Sequence, residues 1–110
     1  MGTPAAEDLF VMSNLSPRQT GLPFVVWISP KAGARHDVRV KISPGPRAKL
    51  GDFITVTVRP EVREVGRSQL TAAQLEQIRC WVELNRDVLV QFWEGGIAYT
   101  EDVLAQLKPI

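Results

Sequence analysis

Cysteine occurs once in the 110 residues, at Cys80, so no disulfide within the chain can form and no cysteine-based zinc site can be assembled. Histidine also occurs once, at His36, which removes paired-histidine metal ligation and histidine relays. No apolar run approaches the roughly 20 residues needed to span a bilayer, so no membrane partner is expected. Near the start, Glu7 and Asp8 stand where an export signal would carry positive charge, and the apolar run Leu9 to Met12 is short. With reduced thiol usage, these features lead us to expect a cytoplasmic protein. Phosphate-loop, nucleophile-elbow and clustered-carboxylate patterns are missing too, and we expect neither catalysis, nor a metal, nor a cofactor.

The composition, 45% hydrophobic and 23% charged, is that of an ordinary globular domain, and the length suits one core. Residues 1–20 mix Gly, Pro, Asn and Ser around Leu9, Phe10, Val11 and Met12, and read as a flexible N-terminal arm. Residues 21–110 then read as a single α+β domain. Phe24 to Ile28 is β-branched and aromatic between Pro23 and Pro30, a strand apolar on both faces and hence central or well covered. Asp37 to Ile42 alternates strictly, with Val38, Val40 and Ile42 on one face and Arg39 and Lys41 on the other; Phe53 to Arg59 alternates in the same way until Pro60. The links are too short for crossovers, so a three-stranded antiparallel meander is expected, with 43–52 as a loop.

Thr71 and Gln74 form a capping box, and Gly95-Gly96 offers a left-handed stop, which predicts a long helix to about Glu94. At 100° per residue, Leu75, Ile78, Val82, Leu89 and Trp93 share one band, widened by Trp81, Val88 and Phe92; this face should cover the sheet. Thr100, Glu101 and Asp102 suggest the capped start of a short terminal helix.

Charge is unevenly spread. Residues 21–70 hold nine Lys/Arg against four Asp/Glu, whereas 71–110 hold three against six. Arg35, Arg39, Lys41, Arg47, Lys49, Arg59 and Arg63 are therefore the candidate binding residues, a basic sheet face and loop suited to phosphates or to an acidic protein. A solvated sheet face with edge-protecting charges accounts for the same residues without a ligand. Trp27 is the one large sheet aromatic free to face outward, so base stacking is poorly supported. A second reading is a homodimer formed through an apolar strip of the long helix, with Trp81, Leu84, Asn85 and Val88 as interface candidates. Asn85 lies inside the apolar band, where an amide needs a structural hydrogen bond or a partner. A third is a toxin-like nuclease using His36 with Arg35 and Arg39 as phosphate clamps. Asp37, next in sequence to His36, should point to the opposite face and leave the imidazole without an orienting carboxylate. Cys80 lacks a nearby base and reads as packing.

The segment Trp81 to Trp93, in which a Trp precedes Arg86-Asp87-Val88-Leu89 and a second Trp, resembles the final helix of the domain-of-unknown-function family 4160. Over residues 24–93 the order of strands and helix is similar, with His36 near the second strand. The family's Pro-Pro-His-Phe-His motif is absent, and Ala34-Arg35-His36 stands near its place. The resemblance implies a small bacterial protein with a regulatory partner role, since such proteins often occur in gene pairs resembling toxin–antitoxin modules.

Overall fold

The computed structural model describes residues 12–43 and 53–110. Leu9 to Val11, Arg47, Lys49 and nearly all of the loop expected over 43–52 lie outside the described residues. Four strands, β1 (Ser13–Leu15), β2 (Val25–Ile28), β3 (Arg39–Ser43) and β4 (Ile54–Thr57), form one antiparallel sheet in sequence order. Helix α1 (Pro17–Thr20) links β1 to β2, α2 (Ala72–Trp93) is the long helix, and α3 (Thr100–Gln106) follows it.

The α+β class and the long C-terminal helix agree with the reading of the sequence, but the sheet has four strands rather than three. The extra strand comes from the segment expected to be a flexible arm: Ser13, Asn14 and Leu15 pair with Ile28, Trp27 and Val26. Three residues are too few to show an alternation, and pairing to β2 is what makes them a strand. The same pairing makes β2 an interior strand, which explains why all four of its residues are buried. The short helix α1 carries a capping box of its own, Ser16 with Gln19, and Pro17 at its first turn.

Cross-strand partners Leu15, Val26, Ile42 and Ile54 lie on the face that packs against α2, together with Ile28, Val38, Val40, Val56 and Val58. Helix α2 starts at the expected cap, where Thr71 Oγ1 accepts from the Gln74 amide (3.1 Å) and Gln74 Oε1 accepts from the Thr71 amide (2.9 Å). It stops where Gly95 adopts φ 85°, and the Gly96 amide donates to the Gln91 carbonyl. Its 22 residues extend about 33 Å at 1.5 Å each, nearly the longest dimension of the molecule, 38 Å. Ile78, Trp81, Val82, Leu89, Phe92 and Trp93 are its buried apolar side chains.

Helix α3 is capped differently from expectation. Tyr99 occupies the cap without a side-chain hydrogen bond, and Thr100 Oγ1 instead lies 3.2 Å from Ser13 Oγ on β1. The chain end then folds back, and the Ile110 amide donates to the Thr20 carbonyl (2.9 Å). Gly21 permits this twice over: its φ of 81° is a left-handed conformation, and a Cβ there would sit 2.3 Å from the Ile110 carbonyl oxygen.

Beyond β4, the edge is lined by an irregular strip. The Thr57 amide donates to the Arg63 carbonyl, and the Val65 amide to the Thr55 carbonyl (both 2.8 Å). Glu64 holds the strip by accepting from the Gln69 and Leu70 amides. This cover occupies hydrogen-bonding groups that an exposed edge strand would offer to another chain. No helix among the described residues is long and apolar enough to cross a membrane.

Candidate functional site

Cross-strand register places Trp27 opposite Lys41, and Lys41 opposite Thr55, on the sheet face away from α2. This outer face is less solvated than alternation alone suggests. Trp27 is buried and donates its indole N–H to Ser43 Oγ (2.9 Å), and its ring meets Phe53 edge-on at 5.3 Å. Lys41 Nζ lies 5.6 Å from the centre of the Phe53 ring, a cation–π contact. Trp27 therefore lies on the outer face but is covered, and offers no open ring for single-stranded stacking.

At one end of this face lies a recess lined by Met12, Trp27, Ser29, Lys31, His36, Arg39, Lys41 and Trp93 among others. Each cationic residue reaches it through a separate local device. The turn after β2 closes with the Ala34 amide on the Lys31 carbonyl (2.8 Å), and the Lys31 amide donates to the Trp93 carbonyl (3.0 Å), tying the turn to the end of α2. The His36 ring packs on the Trp93 ring, centroids 5.3 Å apart. His36 Nδ1–H donates to the Asp37 carbonyl at 2.7 Å, and Nε2 has no hydrogen-bond partner among the described residues. Arg39 and Lys41, two apart on β3, project from the same face.

No carboxylate belongs to the described lining of this recess, and none of Lys31, Arg39 and Lys41 has an ion-pair partner among the described residues. The Nε of Arg39 is buried and has no hydrogen-bond acceptor among the described residues. A buried charged donor without a partner is costly, on the order of 1–3 kcal/mol or more.

The two acids beside the recess are engaged elsewhere. Arg59 donates from Nε and Nη2 to both oxygens of Asp37 (2.9 and 3.0 Å), and from Nη2 to Glu94 (3.1 Å). Arg59, one of the candidate binding residues, is thus bonded to two carboxylates, which offset its charge. Arg63 is exposed and only loosely paired with Glu61 (3.9 Å). Arg35 is exposed in the turn before His36 and has no ion-pair partner among the described residues.

The hydrogen bond from Arg59 holds the Asp37 carboxyl below its ordinary value of 3.8. A carboxyl whose folded pKa is depressed adds stability above its unfolded pKa and loses that contribution as pH falls through the folded value. The Arg59–Asp37 contribution should thus be intact at neutral pH and disappear below pH 3.8. Solvent exposure of both side chains, 37% and 52%, keeps it small. In acid titrations followed by circular dichroism, Asp37→Asn should flatten the stability profile only in that acid window; an altered slope at neutral pH would contradict the assignment.

The interface candidates do not form one exposed strip. Trp81 and Asn85 are buried, at 0% and 1% exposure, whereas Leu84 is 50% exposed and Val88 is half-buried. The flank of α2 carrying Trp81 is covered by Leu15 of β1, Gln19 of α1, and Leu104 and Leu107 at the α3 end, around a cavity of about 100 Å3. Asn85 is a structural clamp. Its Nδ2 donates to the Trp81 carbonyl (3.0 Å) and the Lys108 carbonyl (2.9 Å), and its Oδ1 accepts from the Lys108 amide (2.7 Å).

Sequence reasoning placed Arg39, Lys41 and His36 correctly near one another but missed Lys31 and Trp93. Lys31 stood in a recognised turn; its place in the recess follows from the contact of that turn with the end of α2. Trp93 was read only as core. No group of three or more His, Cys, Asp or Glu among the described residues is placed to hold a metal ion. No family model matches the chain, and comparison with curated proteins and with solved structures finds no match either.

Proposed function

We propose that the protein is a non-enzymatic binding module whose basic outer sheet face, centred on the recess, holds an acidic partner, nucleic acid or protein. The observation that carries this reading is the convergence of Lys31, His36, Arg39 and Lys41 on a recess with no described carboxylate, while both neighbouring acids are bonded to Arg59. An ordinary solvated face has no need to sequester its acids or to bury an unpaired guanidinium nitrogen. The resemblance to family 4160 adds a regulatory partner role to the same reading. Dimerisation through α2 has less support, because two of its four interface candidates are interior. A nuclease using His36 has less as well, since its Nδ1 bonds a backbone carbonyl and the adjacent Asp37 carboxylate is bonded to Arg59 instead.

The test is fluorescence anisotropy with labelled duplex DNA, RNA and a Glu-rich peptide at two salt concentrations. Phosphate contacts should weaken with salt, by a log–log slope of about 0.7–0.9 per phosphate neutralised. Changing Arg39 and Lys41 together to Glu should abolish binding and leave the thermal midpoint nearly unchanged. Failure of all three probes to bind at low salt would sink the proposal.

A further inference from the structure

Resting on that reading, we infer that the recess is a seat for one terminal phosphate monoester, the phosphorylated end of a nucleic-acid strand rather than its backbone. The first argument is size. The recess is a small open hollow of about 400 Å3 counting its mouth and the solvent in it, room for a compact oxyanion whose ester arm stays at the mouth.

The second argument is shape. A phosphodiester would have to bring a sugar in on each side of the phosphorus, whereas a monoester presents three unsubstituted oxygens and one ester arm that can leave through the mouth. The third is charge. Lys31, Arg39 and Lys41 bring three positive charges with no described carboxylate in the lining, a better match to the charge of about −2 on a monoester at neutral pH than to the single charge of a diester or a carboxylate. The fourth is donor geometry. A tetrahedral oxyanion takes donors from several directions, and here they arrive from a turn (Lys31), a ring stacked on Trp93 (His36), and two positions of one strand (Arg39 and Lys41).

The experiment compares two labelled single-stranded oligonucleotides of one sequence, with a 5′-phosphate or a 5′-hydroxyl, in anisotropy titrations of the full chain at fixed salt. The phosphorylated strand should bind roughly tenfold tighter or better, the gain expected from added charge-assisted contacts. Inorganic phosphate at millimolar concentration should erase the difference. Arg39→Gln and, separately, Lys41→Gln should bring the ratio towards one, with folding verified by circular dichroism. Arg35→Gln, outside the recess, should weaken both strands equally. Equal binding of the two strands overturns the phosphate seat and leaves the basic-face reading standing. Loss of binding to both strands and to the Glu-rich peptide overturns both. Tight peptide binding that phosphate does not displace also overturns the seat, in favour of an acidic protein.

Discussion

Trp81→Ala should destabilise the protein by about 3–5 kcal/mol, the usual cost of truncating a large buried aromatic. That is a large fraction of the 5–15 kcal/mol that holds a typical domain together. Trp81 has no exposed surface, and it sits where β1, α1 and the α3 end meet α2. Removing the indole would enlarge the neighbouring cavity of about 100 Å3 and detach the two short helices from the long one. Leu84, one turn along α2 and half exposed, is the internal control: its replacement by Ala should change stability by no more than about 0.5 kcal/mol. Urea denaturation of both variants checks the contrast, and equal losses would mean that α3 does not cover this flank. Trp81→Phe is instructive alongside, because the Trp81 N–H is buried without an acceptor among the described residues; discarding it offsets part of the lost volume.

Asn85→Ala should cost about 2–3 kcal/mol, since it deletes one amide group and leaves the Lys108 N–H and C=O without their partners. The loss should be local as well as global. Amide exchange at Lys108 and Ile110 should accelerate far more than exchange in β2 or β3, because the chain beyond α3 is held by Asn85 at one point and by Thr20 at another. Asn85→Asp should fare no better, since a carboxylate cannot donate to the Trp81 and Lys108 carbonyls. Unchanged protection of the Lys108 amide in Asn85→Ala would falsify the clamp.

These two residues show where sequence reasoning succeeds and stops. The periodicity of α2 identified an apolar band, and the isolated amide at Asn85 was rightly read as needing a hydrogen-bond partner. Which partner it takes depends on where the chain goes after α3. Likewise, Trp81 and Leu84 look alike as members of a flank until the position of α3 makes one interior and leaves the other exposed. Strands β2 to β4 were legible because alternation over several residues reports a half-buried sheet. Strand β1 was not, because its three residues become a strand only through tertiary pairing, although the Ser16–Gln19 capping box after it was available as a sign of order. In the recess, Arg39 and Lys41 follow from alternation alone. The neutralisation of Arg59 does not, because it requires the β3–β4 register that sets Arg39 opposite Thr57 and thereby Asp37 near Arg59.

On the proposed reading, Arg59 would act on a ligand that it need not touch. By holding Asp37 and Glu94, it acts as a screen between two negative charges and a cationic hollow whose walls include their chain neighbours, His36 and Trp93. Arg59→Gln would lift that screen, and an approaching anion would meet two bare carboxylates at the threshold. Its affinity should fall with the recess itself intact, most at low ionic strength and progressively less as salt takes over the screening that Arg59 no longer provides.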